Sequence, residues 1–429
     1  MGAISSIEWT DASWTPIRAR NRATGRAGWH CTHVSEACRN CYAEGINKRL
    51  GTGLAFKPGH LKDVEIFLDE AMLLAPLRWR KPRKIFVCSM TDLFADFVPD
   101  EMIDKVFAVM ALAPQHTFQV LTKRPERMLA YLTKPYSLGQ FITITDDGRR
   151  IDTPAAEVHV RSAMVELLPK APPHALNAAA AWQDEHCPGD GFLRRWPLPN
   201  VWLGTSAEDQ PAADARIPDL LATPAAVRFV SYEPALGPIN LRSIDISGDE
   251  EVLPLGAGWL DRLEEDEVEA PRIDWVICGG ESGPHARPMH PDWARSLRDQ
   301  CATAGVPFFF KQWGEWGPPT DDLGALDWPY HPDHDRTHWF DSRTCARPIE
   351  AGWSDKYIGG GGAWPPPPFD MFKTPEFLDQ VARCPQQACR ETGRCTGNEA
   401  RAAVVRVGKK AAGRILDGRT HDDLPARAA

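Results

Sequence analysis

Short apolar runs rich in β-branched and aromatic residues recur along the chain, each followed by a polar cluster and then a helical spacing of apolar positions. The clearest are residues 85–88 (Ile-Phe-Val-Cys), 118–121, 201–203, 227–230, 275–278 and 306–310. Nearly unbroken apolar character implies burial on both faces, and so predicts strands of a parallel sheet covered by helices. With a weaker strand candidate at 7–10, the rhythm predicts an α/β fold built as a partial or full parallel β/α barrel. A doubly wound open sheet is the alternative, because counting strands does not establish closure.

Two regions break the rhythm. Residues 135–199 contain Asp-Asp-Gly, Pro-Lys-Ala-Pro-Pro and an Ala-rich stretch, which reads as an insertion between two strands. From Gly314 the chain turns Trp-, Pro- and Gly-rich. The expected organisation is a barrel over 1–315 and an extension over 316–429 that ends in a basic helix at 398–416.

Composition narrows the class. No apolar run is long enough for a membrane span, and no export signal opens the chain, so a cytoplasmic protein with no membrane partner is expected. Eleven cysteines, an odd number, argue for thiols or metal ligands over a disulfide framework. The net charge of −9 gives no global attraction to nucleic acid. The tail, with Arg401, Arg406, Lys409, Lys410, Arg414 and Arg419, is a local basic candidate for phosphate.

Cysteine spacing carries the sharpest signal. Cys31, Cys38 and Cys41 stand within one loop, and the Cys-x-x-Cys half is the tight turn shared by zinc and iron–sulfur sites. Three thiolates suit a cluster with one iron left open; His33 as a fourth ligand would instead close a zinc site. Cys345, Cys384, Cys389 and Cys395 are candidates for a second centre, and His331, His334 and His338 for a metal. Polar residues follow nearly every strand: Ser89, Thr91 and Asp92; Lys123; Ser206 and Glu208; Glu233; Glu281; Lys311. In a parallel barrel those positions form the active rim, here suited to a zwitterionic nucleoside. Thr91 and Asp92 also serve as helix caps in the plainer reading.

Cys-Thr-His…Cys-x-x-Cys-Tyr-Ala, followed by Ser89-Met90-Thr91-Asp92 and Leu121-Thr122-Lys123, resembles radical-SAM proteins of the spore-photoproduct-lyase kind. The whole chain resembles an uncharacterised phage and prophage family named after phage gene products thirty-seven and sixty-eight. That resemblance rests on the runs 202–208, Ser231-Tyr232-Glu233-Pro234, Gly279-Gly280-Glu281-Ser282-Gly283, 309–314 and 408–414. It implies a radical-SAM type of barrel, a [4Fe–4S] cluster on Cys31, Cys38 and Cys41, and S-adenosylmethionine beside it. Tyr42 would flank the adenine, with Ser89, Thr91, Asp92, Lys123, Ser206, Glu208 and Glu233 in the cofactor pocket. Cys278, Glu281 and Lys311 would be catalytic, Cys278 as a hydrogen-atom donor. An electron donor of flavodoxin or ferredoxin type and a nucleic-acid substrate are the implied partners. The spacing departs from the usual C-x₃-C-x₂-C: here it is C-x₆-C-x₂-C. A zinc-stabilised nucleic-acid-binding or adaptor protein without catalysis is the alternative function.

Overall fold

The computed structural model describes residues 5, 7–136, 142–144, 150–152, 154–186, 196–247, 250–256, 258–259, 271–317, 337–340 and 402–425. Seven strands form one all-parallel sheet: β1 (Ala12–Trp14), β2 (Lys84–Val87), β3 (Thr117–Thr122), β4 (Val201–Ser206), β5 (Val227–Tyr232), β6 (Trp275–Gly279) and β7 (Phe308–Gln312). They pair in sequence order from β1 to β7, and each pair is parallel. The sheet curls in one direction into a partial barrel whose first and last strands do not pair. All six clear apolar runs are strands. The weaker one at 7–10 is a turn, and the strand itself begins at Ala12.

Helices α1 (Tyr42–Leu50) and α2 (Glu70–Leu73) follow β1; α3 (Asp100–Ala111) follows β2; α4 (Pro125–Thr133), α5 (Ala155–Leu167) and α6 (Pro173–His186) follow β3; α7 (Gln210–Ala222) follows β4; and α8 (Pro291–Ala304) precedes β7. The inserted region thus supplies a hairpin (Ile142–Ile144 with Arg150–Asp152) and the pair α5 and α6. Ala156, Val160, Met164 and Leu167 of α5 join the main core. Between β5 and β6 a three-stranded antiparallel sheet stands where a helix would complete the repeat.

Alternation along the strands divides two cores. Ile85, Val87, Phe118, Val120, Leu203, Val230, Val276 and Phe310 face the helices. Phe86, Trp202, Phe229, Trp275, Ile277 and Phe309 face the concave side. Trp9, just before β1, plugs that side, with its ring centroid 4.7 Å from Phe86 and 6.2 Å from Trp275. Higher on the same concave face, by the same alternation, come Lys123, Ser206, Ser231, Glu233 and Lys311. The interior therefore has an aromatic floor and a polar mouth.

The C-terminal segment differs from the expected helix. Ala402–Arg406 is a strand that pairs antiparallel with Trp316–Gly317 and Thr337–Phe340, and among the described residues of 398–416 only α9 (Lys409–Ala412) is helical. Apolar positions at 402–406 read equally well as a strand, and Gly408 at φ 86° ends it. The segment then returns to the sheet: Phe310 donates to the His421 carbonyl at 2.9 Å and the Trp275 indole to that of Asp423 at 2.9 Å. No helix of the described residues is long and apolar enough to cross a membrane.

Trp9→Ala should cost about 3–5 kcal/mol, the usual range for emptying a buried aromatic site. Urea unfolding checks this, with the partly exposed Phe67→Ala expected to fall well below it.

Candidate functional site

The loop 30–41 crosses the C-terminal edge of the sheet, the end where parallel barrels place their sites. Two buried arginine–carboxylate pairs fasten it there. Asp92, after β2, accepts from the Thr122 hydroxyl (2.7 Å), the Lys123 amide (3.1 Å) and Arg124 Nη1 (2.9 Å). Arg124 Nη2 then donates to the Thr32 hydroxyl (2.6 Å) and carbonyl (3.2 Å). Glu281, after β6, accepts from Arg287 Nη2 (2.6 Å), Arg287 Nε (2.9 Å), the Arg287 amide (2.8 Å) and Asn40 Nδ2 (3.0 Å). Arg287 Nη2 also reaches the Glu36 carbonyl at 3.0 Å. Thr91 adds a bond to the His30 carbonyl at 2.5 Å, and the Tyr42 hydroxyl one to that of Ser89 at 2.7 Å.

These bonds reassign several expected residues. The carboxylates of Asp92 and Glu281 are saturated by protein donors, so they hold the loop. Glu208 is buried and paired with Arg216 at 2.8 Å, and the same guanidinium nitrogen caps the Ser206 carbonyl. Burial alone would raise the Glu208 carboxyl, but Arg216 and then Lys123 outweigh it and hold it below the usual range. Cys278 requires a correction. It lies in the helix-facing core with Val276 and Cys301 of α8, whereas Trp275 and Ile277 face inward. Its strand phase points it away from the mouth, which removes the donor role. Burial pushes its thiol well up, with Glu233 and Cys301 adding.

What remains at the mouth is coherent. Lys311 pairs with Glu233 at 3.0 Å, both side chains largely buried. Gly279 is required there, because a Cβ would stand 2.4 Å from Glu233 Oε1. At neighbouring Gly280 a Cβ would meet the Trp313 carbonyl at 2.0 Å, so the ends of β6 and β7 close only over glycine. Lys123 lies near enough to act on both Cys41 and Glu208.

Cys31, Cys38 and Cys41 are free and partly exposed. Burial pushes the Cys31 thiol up to about 12, with Asp92 adding and Arg124 opposing; Cys41 and Cys38 add smaller upward contributions. Cys41 is raised too, chiefly by burial. The three sulfurs thus share one electrostatic neighbourhood, which Cys88, Cys278 and Cys301, buried in the helix-facing core, do not join. Among the described residues no three His, Cys, Asp or Glu side chains gather as ligands of a metal ion. His33 faces Glu44, 2.9 Å from Nε2 to Oε2. Cys187, Cys345, Cys384, Cys389, Cys395, His331, His334 and the His338 side chain lie outside the described residues.

The tail offers less to phosphate than its composition suggested. Arg406 donates to the Gly283 carbonyl at 3.3 Å, Lys409 pairs with Glu8 at 3.4 Å, and Arg414 pairs with Asp422 and covers Phe309. Trp313 and Trp316 are buried, their indoles bonded to the carbonyls of Ile415 and Ala286, so neither is a stacking platform. Trp328 lies outside the described residues.

Sequence reasoning placed Arg124 on the rim without giving it a role, and missed Asn40, Arg216 and Arg287. Arg124 marks itself by directly following Lys123 at a strand end; Arg287, six residues beyond Glu281, had no local pattern to mark it. Breaking one partner of a buried pair costs about 3–5 kcal/mol. Arg287→Ala and Arg124→Ala should therefore raise hydrogen exchange of the 32–38 amides at least tenfold in the metal-free chain. Arg295→Ala, a partly exposed pair on α8, should leave those amides unchanged.

A search of curated proteins finds no match, and a search of solved structures finds none. The profile of one family, described as a protein of unknown function (DUF5131), matches residues 4–425. That span takes in the cysteine loop, the seven strands and the returning C-terminal segment, and the chain belongs to this family.

Proposed function

We propose that the chain is an iron–sulfur enzyme in which Cys31, Cys38 and Cys41 hold a [4Fe–4S] cluster and S-adenosylmethionine binds in the mouth beneath it. One observation carries this reading: the loop that bears all three cysteines is strapped by Arg124 and Arg287 over the open end of a parallel partial barrel. When bound, the cluster would supply the electron for reductive cleavage of the sulfonium.

The chain's own residues would do the rest. Lys123, beside Cys41 and Glu208, offers a cation to the carboxylate of an amino-acid ligand. Glu233 offers a carboxylate to ribose hydroxyls or an ammonium group, and Lys311 holds it in place at 3.0 Å. Ser206 and Ser231 stand at the same level of neighbouring strands and add hydroxyls to the wall. The aromatic floor closes the base of the pocket to water. An electron donor of flavodoxin or ferredoxin type would deliver the electron, and reduced thiols suit the cytoplasm. Nucleic acid is the proposed substrate.

Anaerobic reconstitution with iron and sulfide should give a brown protein carrying about four irons, as a [4Fe–4S] cluster requires. Reduced, it should release 5′-deoxyadenosine from S-adenosylmethionine. Cys38→Ala should lose the visible absorbance, and Cys301→Ala should keep it; stoichiometric zinc without iron would sink the reading. Lys123→Ala should weaken S-adenosylmethionine binding roughly tenfold or more, the loss of one charge-assisted hydrogen bond, while barely moving the unfolding midpoint. Equilibrium binding beside urea unfolding separates the two effects.

A further inference from the structure

The lobe that carries the cysteine loop is charged against the rest of the chain. Residues 17–68 hold nine Lys and Arg against four Asp and Glu, a net of +5 within a chain of net −9. Eight of these cations are exposed: Arg20, Arg22, Arg26, Arg39, Lys48, Arg49, Lys57 and Lys62. Arg20, Arg39 and Lys48 are paired with Glu65, Glu36 and Glu44. Arg22, Arg26, Arg49, Lys57 and Lys62 have no ion pair among the described residues.

Backbone and side-chain bonds bring these five together around the hairpin formed by Ile17–Asn21 and Ala27–Gly28. Arg26 Nη2 reaches the Arg49 carbonyl at 3.2 Å, which joins the hairpin tip to the end of α1. The Arg22 amide bonds the Asp63 carbonyl at 2.9 Å and its Nε the Val64 carbonyl at 3.0 Å. That places Arg22 beside the turn 58–63, which carries Lys62 and follows Lys57. Asp63, the acidic residue inside the group, is held by His60 at 3.0 Å. Helix α1 leads from this rim to the mouth, about 13 Å at 1.5 Å per residue. At its mouth end Tyr42 is 54% exposed, its hydroxyl fixed on Ser89, its ring open for stacking.

We propose that this cationic rim docks a single-stranded nucleic acid and leads it along α1 toward Tyr42 and the mouth. Unpaired arginines suit phosphodiester oxygens, and an exposed aromatic at the end of the track suits a base, the pairing that single-strand binders use. That the docked strand is also the substrate rests on the functional reading above; the docking itself does not. Leu50 and Leu61, exposed within the rim, would serve an acidic protein instead, and the test includes that rival.

The experiment is fluorescence anisotropy of a labelled single-stranded oligonucleotide of about twelve nucleotides, within the known site sizes, with the metal-free, thiol-reduced full chain. The wild type should bind with strong salt dependence. The triple variant Arg49→Ala, Lys57→Ala, Lys62→Ala should weaken binding at least tenfold and flatten the plot of log affinity against log salt by about 2. The tail variant Lys410→Ala, Arg419→Ala should change neither. Tyr42→Ala should lower affinity without altering the salt slope, because stacking releases no counterions. An unchanged triple variant, or equal loss from the tail variant, overturns the proposal. So does polyglutamate displacing the strand at equal charge concentration, which would mark the rim as a site for acidic protein. Lys57→Gln, Lys62→Gln replaces the triple variant if its unfolding midpoint drops. Because no iron is present, a chain that binds the strand but never takes up a cluster sinks only the reading above. One that takes up the cluster but ignores the strand sinks only this one.

Discussion

Everything at the mouth depends on two guanidinium groups that each serve two masters. Arg124 and Arg287 lie almost wholly out of water, and each is neutralised by a carboxylate at a strand end, Asp92 or Glu281. A buried charge left alone would cost several kcal/mol, so the pairs form as units or not at all. Because a guanidinium has five donors in a fixed fork, each arginine can satisfy its carboxylate and still point one nitrogen at the cysteine loop. The loop is thereby referenced to β2 and β6, on either side of the curled sheet. A loop fixed at both sides of the mouth lies across it.

The same economy explains why the interior can hold charge. Lys311 and Glu233 neutralise each other within the cavity, while Glu208 is paid for by Arg216 behind the wall. Lys123 alone of the mouth cations has no fixed carboxylate within bonding distance among the described residues, only the influence of Glu208 and Cys41. A ligand with one anionic end and one polar end would find Lys123 available and Glu233 already aligned. Such preorganisation lowers the ordering cost of binding.

The fold was legible because buried parallel strands are written locally: six short apolar runs needed no knowledge of their partners. The rim was legible for the same reason, since strand ends mark themselves. Which rim residues face the ligand was not, because that depends on partners far away in sequence. Glu281 and Asp92 look like Glu233 and Lys123 in the chain, and only their contacts with Asn40, Thr32 and two arginines separate them. Cys278 was decided by phase, a property that turns over with each residue and requires knowing which face is concave. The C-terminal strand failed for a different reason. Ala402–Arg406 has the composition of either element, and its pairing with Trp316–Gly317 across some ninety residues decided the outcome.

The straps bear directly on the long first interval of the cysteine motif. Six residues separate Cys31 from Cys38. Fixing each backbone residue costs about 1–2 kcal/mol of conformational entropy, so a longer loop would hold its thiols less firmly if it hung free. It does not hang free. Thr32 is bound by Arg124, Glu36 is bound by Arg287, and Ala37 is buried. Only His33, Val34 and Ser35 lie between the straps, with His33 and Val34 exposed. His33 is itself tied to Glu44 at 2.9 Å, so most of the interval's length is taken up by side-chain contacts.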